Sequence, residues 1–342
     1  MMPKTLKLYI SDMMDADLPL WLWGPPGVGK SQIVKQVAAE KGVEFLDVRL
    51  TTMDPVDLRG LPHVVKGKSM WARPSFLPEK GRGVMLLDEI AQSRPEMQAA
   101  AMELVLDRRV GDHVVGPDWR IIAASNRAED RAGAGRVITP LLNRFTHVDV
   151  EPSLSDWVEW AEGADVDFRI QSFLKFRPDR LLAFDPSSTE RAYPTPRSWE
   201  MCSRALKAAR GSLHREAVKS AVGEAAGTEL MAFLSLYASL PDIDRVWADP
   251  DNAPVPTELS ACWAMGGVLC EGIRGVDKPG PKTVAFAKYA CRMNEEVAIA
   301  VFNDGFRVCP GALMNTPETM RFLGAKIHYI AANYAEKVSG GR

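Results

Sequence analysis

Residues 24–31 read Gly-Pro-Pro-Gly-Val-Gly-Lys-Ser, which matches the pattern GxxxxGK[ST] in full. An apolar run at residues 20–23 precedes this segment, and an amphipathic helical pattern at residues 31–40 follows it. In that setting, glycines let successive backbone N–H groups turn inward around phosphate oxygens, and the start of the helix adds a positive dipole end. The segment therefore predicts a phosphate-binding loop. Its predicted binding residues are Gly24, Pro25, Pro26, Gly27, Val28, Gly29, Lys30 and Ser31.

Two acidic residues end another apolar run. Residues 84–87 are apolar, and Asp88 and Glu89 follow them directly. In open α/β sheets, ligands bind beyond the carboxyl ends of the strands, where these two acids would lie. The pattern predicts that Ser31 and Asp88 hold Mg²⁺ while Lys30 neutralises the terminal phosphates of a nucleotide. Glu89 would orient and deprotonate the attacking water; the alternative is that both acids only solvate the end of the strand.

Strand-like and helix-like segments alternate along the first 150 residues. Five short runs have the composition of buried strands: residues 20–23, 45–50, 84–87, 120–125 and 147–150. Because apolar strands separated by helices form parallel sheets that are covered on both faces, residues 1–150 predict an α/β core of the P-loop NTPase type, with its sheet sandwiched by helices. Beyond residue 150 the pattern predicts an all-α lid at 151–240 and a C-terminal helical extension at 257–342, whose role stays open.

Charge and hydropathy weaken or exclude two classes of protein. The 342 residues carry 42 basic and 44 acidic side chains, for a formal charge of −2. Nucleic-acid-binding proteins usually have a basic surplus, so this balance makes a nucleic-acid partner a weaker interpretation without excluding a local basic stripe. The chain has no apolar run long enough to span a membrane, and the short apolar stretch before Ser11 does not fit a secretory signal. We therefore expect a cytoplasmic protein with no membrane partner.

Three local signals predict turns and a helix start. Residues 61–77, with Lys66-Gly67 at their centre, have the pattern of a β-hairpin, and residues 110–119 have a similar pattern around Gly111-Asp112. Residues 93–96, Ser-Arg-Pro-Glu, fit a capping box in which Ser93 caps the helix that follows. The proline in this segment is expected in the first helical turn, where its missing N–H costs little.

Five segments together resemble a known protein family. In chain order they are GPPGVGKS at 24–31, LLDEI at 86–90, IIAASN at 121–126, LLNRF at 141–145 and PTPRSWE at 194–200. This order is similar to that of the AAA+ ATPases, and within them to the MoxR-like branch, which has a domain of the dynein-related AAA_5 type. The resemblance covers about residues 18–210, and the loop and the Asp-Glu pair are its most specific parts.

The resemblance assigns roles to three further residues. It implies that Asn126 is the sensor 1 amide, which contacts the γ-phosphate and the attacking water, and that Arg197 is the sensor 2 residue, which contacts the nucleotide from the lid. It implies that Arg144 is an arginine finger reaching the site of a neighbouring subunit, where a planar guanidinium suits the charge of a transferring phosphoryl group. A turn-forming role for Asn126 and surface ion pairs for the two arginines remain open. Arg136 is interpreted as an ordinary loop residue rather than a second arginine of this kind.

The function that the resemblance implies is ATP hydrolysis, with ATP and Mg²⁺ as cofactors. Members of the branch act as hexameric chaperones on protein clients beside proteins with von Willebrand factor A domains, so a homo-oligomeric ring and such a client are expected. The predicted hairpins would face the central pore, and Met70 and Trp71 would contact the client or pack back onto the domain. The rival interpretations are a nucleic-acid motor or loader and a switch that binds ATP without hydrolysing it.

Overall fold

The computed structural model describes residues 1–130 and 137–324, so that Arg136 and the end of the predicted extension lie outside the described residues. The chain divides into two compact units. The first comprises Met1–Trp160 and Arg180–Met201, and the second comprises Ala161–Asp179 and the chain from Cys202 onward. The boundaries at residues 150, 240 and 257 that the sequence predicts for a core, a lid and an extension stay predictions.

Short strands and helices alternate in the first unit, and helices make up the second. The strands are β1 Leu20–Trp23, β2 Glu44–Arg49, β3 Leu61–Val65, β4 Lys68–Ala72, β5 Gly83–Asp88, β6 Arg109–Val110, β7 His113–Val114, β8 Trp119–Ser125 and β9 Thr146–Asp149. The helices are α1 Pro3–Asp15, α2 Lys30–Glu40, α3 Pro55–Arg59, α4 Pro95–Asp107, α5 Thr139–Leu142, α6 Leu154–Gly163, α7 Phe168–Phe176, α8 Pro196–Ala208, α9 His214–Val222, α10 Glu224–Ser235, α11 Ile243–Ala248, α12 Leu259–Gly272, α13 Pro281–Ala290, α14 Glu295–Val308 and α15 Pro310–Met314.

Five strands form one parallel sheet in the order β2-β5-β8-β1-β9. They are the five strands that the sequence predicts, each displaced by no more than a residue at its start. Side chains alternate between the two faces, as the pleat requires. Leu20 and Leu22 pack with α1 and α2 on one face, whereas Trp21 packs with α4 and α5 on the other. The predicted fold class, a parallel sheet between helices followed by helical segments, is confirmed.

Trp21 anchors the core on the second face of the sheet. Its side chain is fully buried, its ring stacks on Trp23 with centroids 4.6 Å apart, and its Nε1 donates to the Ser125 hydroxyl. We expect Trp21→Ala to lower the free energy of unfolding by about 3–5 kcal/mol, because a large aromatic side chain leaves a cavity. Urea denaturation followed by circular dichroism measures this loss. The control Trp71→Ala, at an exposed position, should change stability by less than about 0.5 kcal/mol, and an equal loss in both variants would contradict the assignment.

Two antiparallel hairpins project from the connections of the sheet. β3 pairs with β4 from Leu61↔Ala72 to Val65↔Lys68, and the two turn residues, Lys66 and Gly67, both have positive φ, at 50° and 72°. Two such residues define a type I′ turn, which matches the twist of a hairpin. β6 and β7 form a second, shorter hairpin, with Gly111 at its turn. Both predicted hairpins are present but shorter than expected: the first ends at Ala72 rather than at residue 77, and the second ends at Val114 rather than at residue 119.

The start of α4 differs from the prediction. Arg94, not Ser93, occupies the N-cap position, and no side chain caps the helix there. The Ser93 hydroxyl instead donates to the carbonyl of Ile90 at 2.7 Å, within the short turn that links β5 to α4. The predicted capping box is therefore wrong, because α4 begins one residue later than the box requires and Ser93 lies outside the N-cap position. Pro95 begins the helix as expected.

The second unit has an apolar core of its own. Its largest fully buried side chains include Phe173, Phe286, Tyr289 and Phe302, and the rings of Phe286 and Phe302 meet edge to face. A partly buried ion pair, Lys175 with Asp304, joins α7 to α14 at 2.5 Å. Within residues 1–130 and 137–324, no helix combines the length and the apolar character that crossing a bilayer requires.

Candidate functional site

The glycine-rich loop connects β1 to α2. Gly27 and Gly29 both have positive φ, at 79° and 95°, and Gly29 is the N-cap of α2. A Cβ on Gly27 would lie 2.7 Å from the hydroxyl of Thr195, so the chain approaches the loop too closely for any larger residue. These conformations leave the amino end of α2 open to an anion, in the strand–loop–helix setting that the sequence predicts.

Lys30 lies inside this loop. Its Nζ donates to the Gly24 carbonyl at 2.6 Å, to the Pro25 carbonyl at 3.1 Å and to Asn126 Oδ1 at 2.9 Å. Burial lowers the pKa of Lys30 to about 8, against the raising influence of the nearby Asp88 carboxylate. The three acceptors hold the ammonium group beside the loop, where an incoming phosphate could replace them as its partner.

Ser31 and Asp88 form the neighbouring pair. The Ser31 hydroxyl, in the first turn of α2, donates to Asp88 Oδ2 at 2.7 Å, and Asp88 is the last residue of β5. Burial raises the pKa of the Asp88 carboxyl, while the hydrogen bond from Ser31 opposes that shift. The structure thus places a hydroxyl and a carboxylate oxygen side by side, as the sequence predicts.

Glu89 has a left-handed backbone conformation, with φ 60° and ψ 29°, which is uncommon for a residue with a side chain. Its N–H donates to the Ala124 carbonyl of β8 at 2.9 Å. Its Oε2 accepts a hydrogen bond of 2.7 Å from the hydroxyl of Thr51. Sequence reasoning missed Thr51, because only the parallel pairing of β2 with β5, with Arg49 opposite Asp88, brings this residue to the acid.

Asn126 follows β8 and reaches Lys30 through the amide oxygen described above. Asp130 follows Asn126 in the same connection, and its buried carboxylate accepts hydrogen bonds from the backbone and guanidinium of Arg127. Asp130 also raises the pKa of Lys30, although burial of Lys30 outweighs it. Sequence reasoning missed Asp130 as well, since no spacing relates it to the loop.

A cavity of about 860 Å³ opens beside these groups. Its wall includes Gly27, Val28, Gly29, Ser31, Asp88 and Glu89, together with Lys4, Gln36, Arg49, Trp157, Trp160, Arg197 and Glu200. All of these residues belong to the first unit. The volume is at the upper end of the range for ligand pockets, about 300–1,000 Å³, and suits a nucleotide.

The two predicted arginines occupy different places. Arg197, at the start of α8, lies on the cavity wall, and its N–H donates to the Gly27 carbonyl at 3.2 Å. Arg144 is not among the residues that line this cavity, within the part of the chain that the structure describes. Its Nη1 donates to the Pro140 carbonyl, and its buried Nε has no hydrogen-bond partner among the described residues. The structure therefore brings every predicted site residue except Arg144 to this one edge of the sheet.

Part of the chain is similar in sequence to known proteins. Residues 19–145 match the family model of the AAA domain, dynein-related subfamily. The Holliday junction branch migration complex subunit RuvB of Treponema denticola is 31% identical over 137 residues, which cover 37% of this chain and 34% of that protein. The rat ATPase family gene 2 protein homolog B is 31% identical over 119 residues, covering 32% of this chain and 15% of its own length. The matched segments thus span 34% and 15% of the lengths of these two relatives.

Two solved structures align with most of the chain, at low identity and a low TM-score. A RuvB variant of Thermotoga maritima aligns with a TM-score of 0.40 at 17% identity, covering 73% of this chain and 74% of that one. NtrX of Brucella abortus in complex with ATP aligns with a TM-score of 0.40 at 16% identity, covering 94% of this chain and 67% of that one.

Proposed function

We propose, from the AAA domain that residues 19–145 form, that this chain binds ATP with Mg²⁺ and hydrolyses the bond between the β- and γ-phosphates. One observation carries the proposal, namely that side chains from two strand ends and one helix start converge at one edge of the sheet. They are Lys30, Ser31, Asp88, Glu89 and Asn126. Catalysis of phosphoryl transfer depends mainly on positioning the reactants and on neutralising the phosphate charge, and this set of side chains can supply both.

Each of these residues has a part in the proposed reaction. Lys30 exchanges its carbonyl partners for phosphate oxygens and neutralises their charge. Asn126, already within hydrogen-bonding distance of Lys30, presents an amide to the γ-phosphate and the attacking water. Glu89 orients that water and takes its proton. Arg197, which also lines the cavity, contacts the phosphates.

Ser31 and Asp88 fit the requirements of a magnesium site. Mg²⁺ prefers hard oxygen ligands and is usually held by one or two protein groups together with substrate phosphates and water. The hydroxyl and carboxylate, 2.7 Å apart and partly buried, are a donor set of that kind. When bound, the ion neutralises charge on the β- and γ-phosphate oxygens.

Thr51 is expected to restrain hydrolysis through its hydrogen bond to Glu89. A hydroxyl that donates to a carboxylate occupies one of its lone pairs and fixes its orientation, so that oxygen is less available to a water molecule. Replacing Thr51 with valine should therefore raise steady-state phosphate release about two- to tenfold at saturating ATP. The matched control is Thr52→Val, because the Thr52 hydroxyl bonds the Arg49 carbonyl and not Glu89. If Thr51→Val lowers the rate while Thr52→Val does not, the hydroxyl supports the base instead of restraining it.

Arg144 is proposed to complete the site of a neighbouring subunit in a homo-oligomeric ring, with six subunits as the expected number. Its guanidinium is away from the cavity of its own chain, and one buried nitrogen has no partner among the described residues. Contacts that place a residue of one subunit in the site of the next are heterologous, and they close into a ring when the rotation permits.

Mixing two inactive variants tests the shared site. Lys30→Ala removes the phosphate contact, and Arg144→Ala removes the finger, so neither homo-oligomer should hydrolyse ATP. Random co-assembly of equal amounts should restore about a quarter of the sites, since one interface in four joins an intact loop to an intact finger. Phosphate release measures the recovery, and analytical ultracentrifugation verifies that the two variants assemble together. Co-assembled variants that stay inactive would contradict the sharing of sites.

The energy of hydrolysis is proposed to drive protein remodelling, as in the MoxR-like branch. In this view the two hairpins engage a protein client, such as a von Willebrand factor A domain protein. The chain's balanced charge supports a protein client over a nucleic acid.

The second candidate is a nucleic-acid motor, which the similarity to RuvB favours. Measuring ATP hydrolysis with added DNA at low and at high salt distinguishes the nucleic-acid motor from the protein-remodelling ATPase. Stimulation of hydrolysis that falls steeply with salt indicates the motor, because phosphate contacts release counterions. A chain that retains ATP but releases no phosphate would instead be a binding switch.

A further inference from the structure

We propose that the hairpin formed by β3 and β4, residues 61–72, binds an extended acidic polypeptide that carries apolar side chains. The inference names the chemistry of the client and rests on the proposed function for its biological meaning. The binding itself is a property of the hairpin and can be tested without nucleotide.

The hairpin exposes large apolar side chains to solvent. Every residue of β3 and β4 is exposed, including Leu61 at 66%, Val64 at 76%, Met70 at 49% and Trp71 at 38%. A single exposed apolar residue is ordinary, but a contiguous group of them marks an interaction surface. A partner that covers these side chains therefore lowers the free energy by removing apolar surface from water.

The charged side chains in and beside the hairpin are all basic. Residues 59–78 contain four cationic side chains, from Arg59, Lys66, Lys68 and Arg73, and no aspartate or glutamate, whereas the whole chain has a charge of −2. Arg73 is used internally, since its guanidinium donates to the carbonyls of Leu77 and Val114. The other three are exposed and have no ion-pair partner among the described residues. Charge complementarity thus selects an anionic partner.

The backbone of the hairpin can pair with another strand. In the part of the chain that the structure describes, β3 and β4 form a sheet of two strands, so each has one edge without a neighbouring strand. Such edges pair readily with an extended chain, whose main chain supplies affinity while alternate side chains supply specificity. An extended polypeptide satisfies these edges and places its side chains against both faces of the hairpin.

A polypeptide fits this surface better than a nucleic acid does. Most of the exposed apolar area is aliphatic, from Leu61, Val64, Val65 and Met70. Aliphatic side chains gain by packing against other apolar side chains, whereas single-stranded nucleic acids stack their bases on aromatic rings. Trp71 is the single Phe, Tyr or Trp residue within β3 and β4.

The test measures binding of fluorescently labelled probes to the full chain by anisotropy, without nucleotide. The first probe is a peptide that alternates glutamate with leucine and valine. It should bind, and its affinity should fall as salt rises. A peptide with lysine in place of glutamate should bind at least about tenfold more weakly, and so should one with serine in place of the apolar residues. An oligothymidylate probe should bind more weakly than the acidic peptide.

Variants connect that binding to the hairpin. Lys66→Glu with Lys68→Glu should weaken binding of the acidic peptide about tenfold at low salt, and Val64→Ser with Trp71→Ser should weaken it at every salt concentration. Lys278→Glu with Lys282→Glu is the matched control, since these exposed lysines lie on the second unit. Circular dichroism should be unchanged in all of the variants, and basal phosphate release should be unchanged in the control pair.

Two results would overturn the inference. One is binding of the acidic peptide that the hairpin variants leave unchanged or the control pair weakens equally, and the other is tighter, hairpin-dependent binding of oligothymidylate. An absence of peptide binding in a chain that hydrolyses ATP refutes the inference alone. Hairpin-dependent peptide binding in a chain that hydrolyses no ATP refutes the proposed function and leaves the hairpin's ligand established.

Discussion

Replacing Lys30 with alanine is expected to reduce affinity for ATP about a hundredfold and to abolish hydrolysis, because charge-assisted hydrogen bonds to phosphate are lost from a buried position. The ammonium group already lies at the loop, within 2.9 Å of Asn126 Oδ1, so its removal also leaves that amide oxygen without its partner. Titration with a fluorescent ATP analogue measures the affinity, and phosphate release measures the rate.

The matched control for this experiment is Lys80→Ala, since Lys80 is exposed and lies outside the cavity wall. It should bind and hydrolyse ATP as the unaltered chain does. If Lys30→Ala retains the affinity of the unaltered chain and folds normally, the loop does not bind the triphosphate, and the proposed function fails with it.

Replacing Glu89 with glutamine separates binding from hydrolysis. The amide keeps the size of the side chain and an oxygen that can accept from Thr51, but it cannot take a proton. We expect ATP affinity within about threefold of the unaltered chain and hydrolysis slowed by about 10²–10⁴, the usual contribution of a general base. Single-turnover phosphate release, with affinity measured on the same samples, gives both quantities.

Glu96→Gln serves as the control for charge, because it removes an exposed carboxylate from the first turn of α4 without touching the cavity. Its rate should be that of the unaltered chain. A Glu89→Gln variant that hydrolyses ATP at the full rate would remove Glu89 from the reaction and would point to the interpretation that the acid only solvates the strand end.

The parallel sheet could be predicted from the sequence because strand composition and turn residues are local features of the chain. The three central strands, β1, β5 and β8, are short apolar runs, because burial on both faces demands that composition, whereas the edge strands β2 and β9 carry polar residues and are partly exposed. The turn at Lys66-Gly67 was equally readable, since its conformation depends on the residues of the turn itself. By contrast, whether Ser93 caps α4 depends on the residue at which the turn after β5 lets the helix begin, and residue types alone do not encode that position.

The sequence by itself determined the phosphate loop, the acids that end β5 and the parallel sheet that brings them to one edge, because spacing and apolar composition act within a few residues. Only the tertiary structure decided that Thr51 bonds Glu89, that Asp130 lies near Lys30 and that Arg197 lines the cavity while Arg144 does not. These contacts join residues far apart in the chain. The distances between those residues depend on which strands pair and on the paths of the connecting loops. A one-dimensional pattern does not specify those paths.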